Sequence, residues 1–366
     1  MKNTNRRKFL QTAAIGTGAL AIGAAAFPNL LTRKKKEKIG VALVGLGYYS
    51  TDVLAPALQL TQHCYLAGIV TGTPEKAVRW KRQYDIPEKN IYNYENMDGI
   101  ANNPEIDVVY IVLPTGLHAQ YAVKAADTGK HVWCEKPMAR TVAECQSIID
   151  ACNKNQVKLA IGYRMQHEPN TQTVIRFGKE KTYGNIKKVE AAAGYRDGRS
   201  NHWKLKKEMG GGALYDMGVY PINAVRYVTN EEPMAVIQAE HSTTRPQVYT
   251  EVDETTRFQL EFPSGAVAEC ETSFGKGMNR LHVTAEKGWY RLQPFQSYSG
   301  VRGETSDGIL LNKRIANQQA KQMDDDALSI LNDTDMLVPG EEGLNDIKVV
   351  EAVYESAAKG ERVLIK

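Results

Sequence analysis

Short apolar runs alternate with amphipathic segments over residues 39–163. The apolar runs predict buried strands at residues 39–44, 66–70, 107–113, 131–134 and 158–162. Helical periodicity predicts helices at residues 52–60 and 119–128 and after Thr141, where Thr141 and Glu144 have the spacing of a capping box. Alternating strands and helices predict an α/β region whose parallel, doubly wound sheet binds its ligand at the carboxyl ends of the strands.

The pattern changes after about residue 165. Segments in which polar and apolar residues alternate, as in strands with one exposed face, occupy residues 187–193, 234–241, 255–262, 266–273, 281–285 and 289–292. Residues 316–331 and 341–358 have the periodicity of amphipathic helices. We therefore predict an α+β region over residues 164–366, with an open, mainly antiparallel sheet flanked by helices.

The formal charge is unevenly distributed along the chain. The 366 residues carry a net charge of +4, but residues 1–38 contain nine basic residues against Glu37 alone. The rest of the chain therefore has a net charge of −4. A slightly acidic body gives no electrostatic basis for binding nucleic acid, so we expect no nucleic-acid partner.

The basic residues at the start of the chain have the pattern of an export signal. Paired Arg6 and Arg7 precede an uncharged stretch rich in Ala and Gly that ends at Ala26. This pattern predicts a twin-arginine signal peptide over residues 1–26, a basic arm or linker over residues 27–38, and export in the folded state to the periplasm by the twin-arginine machinery. The apolar stretch is too short and too rich in glycine for a stable membrane span, although an uncleaved tether remains an alternative.

Cysteine and histidine residues give no sign of a metal centre. The five cysteines are scattered and form no C-x-x-C pair, and His167 and His202 are isolated. Metal sites need several such ligands at suitable spacing. We expect no metal site.

A glycine-rich turn follows the first predicted strand. The segment contains Gly45, Gly47, Tyr48, Tyr49 and Ser50, with serine where a third glycine commonly stands. Glycines at such a turn let backbone N–H groups approach a pyrophosphate, whose charge the beginning of the next helix favours. The turn therefore predicts a dinucleotide site of the Rossmann type, with these five residues at the cofactor.

The end of the second predicted strand distinguishes between two cofactors. A carboxylate there would bind the ribose 2′-hydroxyl of NAD, but the chain has Thr71 and Gly72, followed by Lys76 and Arg79. Hydroxyl and basic groups suit a 2′-phosphate, so we predict NADP, with NAD as the alternative. The competing interpretation is that Lys76 and Arg79 only solvate a helix.

Glu135-Lys136-Pro137 follows a buried strand at the edge of the sheet where ligands bind. A lysine there can polarise an oxygen beside the nicotinamide, and we expect desolvation to lower its pKa. Together with residues 113–118, 129–132, 162–164, 210–220 and 340–343, this motif resembles the Gfo/Idh/MocA oxidoreductases, and in particular their glucose–fructose oxidoreductase branch. The resemblance covers nearly all of the chain after the predicted signal peptide, and it implies a Rossmann domain over residues 39–163.

The resemblance also implies the catalytic residues. Many members of the family carry Asp-x-x-x-His, whose histidine is the general base, whereas this chain has Asp216 and Tyr220. Lys136, Asp216 and Tyr220 are therefore expected to be catalytic, with Tyr220 accepting a sugar hydroxyl proton, Lys136 polarising the oxygen and Asp216 orienting the sugar or Lys136. A core position for Tyr220 is the alternative.

Further contacts are implied at both ends of the site. Pro114, Thr115, His118, Glu135, Lys136 and Arg164 are expected at the cofactor, with Thr115 in place of the family's usual asparagine. Tyr163 and Trp203 are expected to join Asp216 and Tyr220 at the sugar, Trp203 as a stacking platform or else as a core residue.

These expectations combine into one leading hypothesis. The chain is expected to be an NADP-dependent sugar oxidoreductase that transfers hydride between a sugar C1 and a tightly bound cofactor, with recycling of the cofactor by a second sugar. The alternatives are an NAD-dependent glycoside hydrolase of the same family, a plain aldose 1-dehydrogenase and a nucleotide-bound sensor without activity. The resemblance also implies a homodimer or homotetramer, formed through the second sheet.

Overall fold

The first sheet is wholly parallel. Its strands are β1 (Ile39–Val44), β2 (Cys64–Val70), β3 (Ile91–Tyr92), β4 (Val108–Ile111), β5 (His131–Cys134) and β6 (Leu159–Ile161), in the order β3-β2-β1-β4-β5-β6. The computed structural model describes residues 36–366, so the predicted signal peptide and most of the predicted arm lie outside the described residues. The strand order reverses between β1 and β4, which places a ligand crevice at the carboxyl ends of these strands.

Helices cover both faces of this sheet. The α-helices of residues 36–366 are α1 (Ala55–Leu58), α2 (Pro74–Tyr84), α3 (His118–Asp127), α4 (Val142–Lys154), α5 (Pro169–Lys179), α6 (Val219–Thr229), α7 (Gln318–Leu331) and α8 (Gly340–Lys359), of which α5 and α6 pack against the second sheet. Helices α3 and α4 contribute apolar side chains to the core on one face. On the other face, Ala320, Met323 and Ala327 of α7 pack with Trp80 and Trp133. A helix from late in the chain therefore covers the second face of the first sheet. Residues 37–366 form one compact unit.

The second sheet is mixed but mostly antiparallel. It contains β7 (Ile186–Gly194), β8 (Ala235–Ser242), β9 (Thr255–Glu261), β10 (Val267–Ser273), β11 (Met278–Ala285), β12 (Gly288–Leu292), β13 (Gly303–Thr305), β14 (Leu310–Leu311) and β15 (Val363–Leu364). The order is β14-β13-β12-β11-β7-β10-β9-β8-β15, and β7 and β10 pair in parallel. The predicted fold class is confirmed for both sheets.

One face of the second sheet is apolar and the other is charged. Along β9, Thr256, Phe258 and Leu260 are buried, whereas Arg257 between them is exposed. The buried face packs in the same apolar core as α6 and α8. This alternation agrees with the one-sided burial that the sequence pattern predicts.

Two helices begin irregularly, and both lead into the site. Tyr49–Leu54 is a π-helical segment that continues into α1, and Leu214–Gly218 is a π-helical segment that continues into α6. Pro56 and Pro221 are the second residue of α1 and the third residue of α6, close to the points where the π-helical segments pass into these α-helices. Asp216 and Tyr220 therefore lie on one continuous helical segment despite Gly218 and Pro221.

The beginning of α4 differs from a full capping box. The Thr141 side chain accepts a hydrogen bond from the Glu144 N–H at 3.1 Å, as predicted. The Glu144 carboxylate, however, accepts from the backbone N–H of Arg140 at 2.9 Å rather than from that of Thr141. The Arg140 side chain also forms an ion pair with Glu144, which explains why the carboxylate turns that way.

Over residues 36–366, no helix has the length and hydropathy needed to cross a bilayer. All five cysteines are buried and free.

We predict that Gly178→Ala lowers the free energy of unfolding by about 1–3 kcal/mol. A Cβ at Gly178 in α5 would stand 1.7 Å from the carbonyl oxygen of Val228 in α6, so the two helices would have to separate. Urea unfolding measures the change. Gly277→Ala, where a Cβ has no neighbour within 4 Å, is the matched control and should stay within about 0.5 kcal/mol of the parent. Equal stability of the two variants would contradict the close approach of α5 and α6.

Candidate active site

A cavity of about 680 Å³ lies at the carboxyl ends of β1, β2, β4 and β5. Helix α6 and the loop after β7 close its other side. Most of the residues predicted for the site line it: Gly45, Gly47, Tyr48, Tyr49, Thr71, Gly72, Lys76, Pro114, Thr115, His118, Glu135, Lys136, Trp203, Asp216 and Tyr220.

The glycine turn is shaped to receive a phosphate-bearing ligand. Gly45 has φ of +92°, and a Cβ there would stand 2.5 Å from the carbonyl oxygen of Val112, so only glycine fits. At Gly47, in contrast, a Cβ would meet no protein atom within 4 Å, and the space belongs to the cavity. A backbone that is bare on its open side and leads into a helical segment fits the pyrophosphate of a dinucleotide.

The end of β2 carries no carboxylate, and Lys76 lies at the cavity. Its ammonium donates to the backbone carbonyl of Leu46 at 2.9 Å, which anchors it beside the glycine turn. Thr71 and Thr73 add hydroxyl groups, whereas Arg79 is exposed and does not line the cavity. Of the two basic residues noted after β2, only Lys76 is placed to meet a ligand.

Lys136 connects the first sheet to the helix that bears Asp216. The Lys136 Nζ donates to the backbone carbonyl of Asp216 at 2.8 Å and lies 3.8 Å from its Oδ1. Both side chains are largely buried, 12% and 14% exposed. Charges in such a place are weakly screened by solvent, so their mutual positions matter for the chemistry.

Asp216 is held ionised by cations on two sides. Its Oδ2 accepts from Lys204 Nζ at 2.6 Å and from the Tyr195 hydroxyl at 3.2 Å. Burial would raise the pKa of Asp216, but the ammonium groups of Lys204 and Lys136 outweigh burial, and the pKa lies below its usual range. Asp216 is therefore a carboxylate at neutral pH.

The expected fall in the pKa of Lys136 is wrong. Burial does act to lower it, but the neighbouring Tyr220, Asp216 and Glu135 together raise the pKa of Lys136 above its usual value. Glu135 is itself buried, accepts from the Tyr110 hydroxyl at 2.7 Å, and has a pKa raised mainly by burial. Lys136 is consequently a cation at neutral pH, suited to stabilising negative charge on an oxygen rather than to acting as a base.

Tyr220 lies between two cations. The Lys136 Nζ stands 4.4 Å from the centre of its ring, and the Arg164 guanidinium stands 5.6 Å from the same centre. Arg164 also lies 4.8 Å from the centre of the Tyr298 ring and donates to Gln318 Oε1 at 3.2 Å. Tyr220 is thus a half-buried residue at the cavity, flanked by positive charge, rather than an ordinary core tyrosine.

Three residues predicted for the site do not line the cavity. Tyr163 is 1% exposed and packs in the core that residues of both sheets share. Ser50 is fully buried, and its hydroxyl donates to the carbonyl of Gly45 at 2.6 Å, so it stabilises the glycine turn from within. Arg164, at 2% exposure, lies behind the rings of Tyr220 and Tyr298.

His118 is at the cavity, but both of its ring nitrogens are engaged. Nδ1 lies 2.9 Å from the carbonyl oxygen of Pro137 and Nε2 lies 2.7 Å from that of Leu113. Burial lowers the pKa of His118, although these backbone contacts oppose the shift. His118 therefore joins the loops after β4 and β5 and fixes the shape of the cofactor end.

Several cavity residues were missed from the sequence. Tyr94, Arg199, His202, Lys204 and Tyr298 also line the cavity. Four of these lie on irregular segments, and none belongs to a motif of chemical residues at fixed spacing. For Lys204, the signal in the sequence was its position as a basic residue directly after Trp203. Both residues lie in the 3₁₀ turn Trp203–Leu205. Within residues 36–366, no group of three metal-binding side chains converges.

A glycine turn shaped for a dinucleotide, joined to a Lys, Asp and Tyr cluster in one cavity, defines a nicotinamide-dependent oxidoreductase. The comparisons with known proteins agree. Residues 39–163 match an oxidoreductase family model with an NAD-binding Rossmann fold, and residues 171–291 match the GFO/IDH/MocA C-terminal domain. The chain belongs to the Gfo/Idh/MocA family.

Similar proteins include several that are named for sugar substrates. The crystal structure of the aldose-aldose oxidoreductase from Caulobacter crescentus has a TM-score of 0.86 and 40% identity, and covers 89% of this chain and 99% of that one. The D-xylose 1-dehydrogenase [NADP(+)] of Haloarcula marismortui is 29% identical over 86% of this chain and 90% of its own length. The D-xylose 1-dehydrogenase (NADP(+)) 2 of Haloferax volcanii is 25% identical over 88% of this chain and 98% of its own length.

We predict that Gly47→Val weakens dinucleotide binding without unfolding the protein. The new side chain would meet only the space of the cavity, so the melting temperature should change little while affinity falls by at least about tenfold, equivalent to about 1.4 kcal/mol. Fluorescence titration with NADPH measures the affinity. Gly45→Ala is the contrasting variant, because its Cβ would meet the Val112 carbonyl and should lower the melting temperature. Undiminished binding by Gly47→Val would contradict this placement of the cofactor.

Proposed function

We propose that this protein oxidises an aldose at C1 with tightly bound NADP and regenerates the cofactor in place by reducing a second sugar. The observation that carries the proposal is the single cavity in which Lys136, Asp216 and Tyr220 share one end with Trp203, while the glycine turn and Lys76 occupy the other. The relatives named for aldose substrates and for NADP support the same class of reaction.

The residues suit removal of a hydride and a proton from a sugar. The C1–H bond breaks with its electron pair leaving as hydride, and the C1–O bond becomes a carbonyl as the hydroxyl proton passes to the phenolate oxygen of Tyr220, whose own proton has already gone to solvent. A dinucleotide held by the glycine turn and Lys76 would supply the hydride acceptor for this half-reaction and the hydride donor for the reverse one. Lys136, which lines the cavity, stabilises negative charge on the sugar oxygen during proton transfer, and Arg164 adds positive charge from behind the Tyr220 ring.

Trp203 gives the cavity an aromatic surface beside these groups. It lies on the 3₁₀ turn next to Lys204, whose ammonium is 5.8 Å from the centre of the Trp203 ring. An indole face beside hydrogen-bonding groups suits a pyranose, which has an apolar C–H face and polar edges. Trp203 is therefore assigned to the sugar.

A plain aldose 1-dehydrogenase is the second candidate, favoured by the NADP-dependent xylose dehydrogenases among the relatives. The two candidates differ in the fate of the reduced cofactor. A recycling enzyme holds NADPH and reoxidises it when a second sugar arrives, whereas a plain dehydrogenase releases it. A glycoside hydrolase would instead cleave a glycoside with no net change in the absorbance of the nicotinamide.

Export remains part of the proposal. The paired Arg6 and Arg7 and the uncharged stretch that follows them support transport of the folded protein by the twin-arginine route to the periplasm. Free NADP is scarce outside the cytoplasm, so a retained and recycled cofactor suits that location. The two proposals therefore support each other.

A subunit interface is also proposed, on the open face of the second sheet. Charges of both signs lie on this face, with Lys188 beside Glu190 and Glu269, and Arg257 beside Glu240 and Glu271. A face that carries both signs can be complementary to itself across a two-fold axis. We propose a homodimer or homotetramer formed through this surface.

We predict that Lys136→Met and Tyr220→Phe each lower kcat for aldose oxidation by about 10²–10⁴-fold, the usual contribution of a positioned acid or base. Stopped-flow absorbance of the bound nicotinamide after mixing with an aldose measures the step. Tyr227→Phe is the matched control, because Tyr227 lies on the same helix and its buried hydroxyl has no hydrogen-bond partner. Full activity of Tyr220→Phe would refute its assignment as the proton acceptor.

We predict that Lys76→Met weakens NADP binding by about tenfold, about 1.4 kcal/mol, while NAD binding changes less than about threefold. The reason is that only NADP carries a 2′-phosphate for the Lys76 ammonium. Isothermal titration with both cofactors measures the two affinities. Lys81→Met, on the same helix but paired with Glu88 at the surface, serves as the control. An equal loss for both cofactors would show that Lys76 does not select NADP.

A further inference from the structure

Asp216 has two lysine neighbours, and its carboxylate lies closer to one of them than to the other. Lys204 Nζ lies 2.6 Å from Oδ2, a strong charge-assisted hydrogen bond, whereas Lys136 Nζ lies 3.8 Å from Oδ1. The closest acceptor of Lys136 is instead the backbone carbonyl of Asp216, at 2.8 Å. The carboxylate is therefore drawn toward Lys204 and only weakly engages Lys136.

The environment of Lys204 explains why it holds the carboxylate firmly. Its side chain is 19% exposed, and its ammonium lies near the faces of two aromatic rings, 5.7 Å from the centre of Tyr195 and 5.8 Å from that of Trp203. The Tyr195 hydroxyl donates to the same Oδ2 at 3.2 Å. Two donors thus fix one carboxylate oxygen on the side away from Lys136.

Loss of Lys204 would remove the ammonium that pairs with the buried Asp216 carboxylate. An ionised group in such a place strongly favours a compensating charge. Lys136 is the nearest remaining cation, and a small movement would turn the 3.8 Å approach into a full ion pair. The Lys136 ammonium would then be occupied by Asp216 and less able to serve a substrate oxygen.

We propose that Lys204 is a positioning residue that holds the Asp216 carboxylate away from Lys136, so that the Lys136 ammonium remains available to the substrate oxygen. This inference rests on the proposed function for its kinetic consequence, but not for its effect on Lys136 itself. It assigns a role to a residue outside the Lys, Asp and Tyr cluster.

Other charged and titratable groups surround the two lysines and must be considered in any dependence on pH. Asp216 is influenced by Tyr195, Lys136 and Lys204, and it acts in turn on Arg199 and His202; Lys136 is influenced by Tyr220, Glu135 and Arg164. Replacing Lys204 also removes its own electrostatic effect on Asp216 and His202, whereas replacing Tyr195 with Phe removes no positive charge.

The first test measures Lys136 directly and needs no substrate. The pH dependence of acetylation of Lys136 by acetic anhydride, followed by peptide mass spectrometry, reports its pKa in the folded protein with its cofactor. In Lys204→Met, the closer carboxylate should raise that pKa by about one unit. Adding Asp216→Asn in the same chain should reverse the rise. An unchanged pKa of Lys136 in Lys204→Met would overturn the proposal.

The second test is a double-mutant cycle on kcat. Lys204→Met should lower kcat by about tenfold in the parent but cause no further loss in the Asp216→Asn background, because Lys204 acts through Asp216. The same loss in both backgrounds would show that Lys204 contacts the substrate itself and would overturn the proposal. Lys204→Arg should recover most of the activity, since a guanidinium can also donate to Oδ2.

Two further variants serve as a control and as an independent test. Lys206→Met removes an exposed lysine two residues away and should change neither measurement. Tyr195→Phe removes the weaker donor to the same oxygen and should shift the pKa of Lys136 in the same direction by less, which covers a failure of Lys204→Met to fold. If the parent protein fails to oxidise aldoses, the proposed function fails, while the acetylation result still decides the role of Lys204.

Discussion

The contact between Lys136 and Asp216 is the interaction on which the site depends. Lys136 stands directly after β5 of the first sheet, and Asp216 stands on the helical segment that packs against the second. Their 2.8 Å hydrogen bond joins the edge that receives the cofactor to the helix that carries Tyr220. A site assembled across two sheets in this way exists only when both are correctly folded and packed together.

The electrostatics of the site follow from an excess of buried cations. Lys136 and Lys204 contact the ionised carboxylate of Asp216, and Arg164 lies behind the Tyr220 ring, while Glu135 is buried nearby with a pKa raised by burial. Such an arrangement favours negative charge on an oxygen held among these groups. It suits a reaction in which a hydroxyl loses its proton.

Local pattern was enough to predict five of the six strands of the first sheet, the glycine turn and the Lys136 motif, because each depends on residues close together in the chain; the two-residue strand β3 was not predicted. It could not show which way Tyr163 points, since one residue of difference after a short strand reverses the face. It also missed Lys204 and Tyr298, whose roles come from segments that meet only in the folded protein. The fall expected for the pKa of Lys136 was wrong for the same reason: burial was foreseeable, but the anionic and phenolic neighbours were not.

The most direct measurement of the central claim is single-turnover transfer from an aldose labelled with deuterium at C1. The protein with its bound NADP is mixed with the labelled aldose, the absorbance of the reduced nicotinamide is followed, and the cofactor is then analysed by mass spectrometry. The account predicts slower reduction with the labelled sugar and deuterium in the bound NADPH, which a second, unlabelled sugar then removes. Loss of the label to water, or no reduction by any aldose, would contradict it.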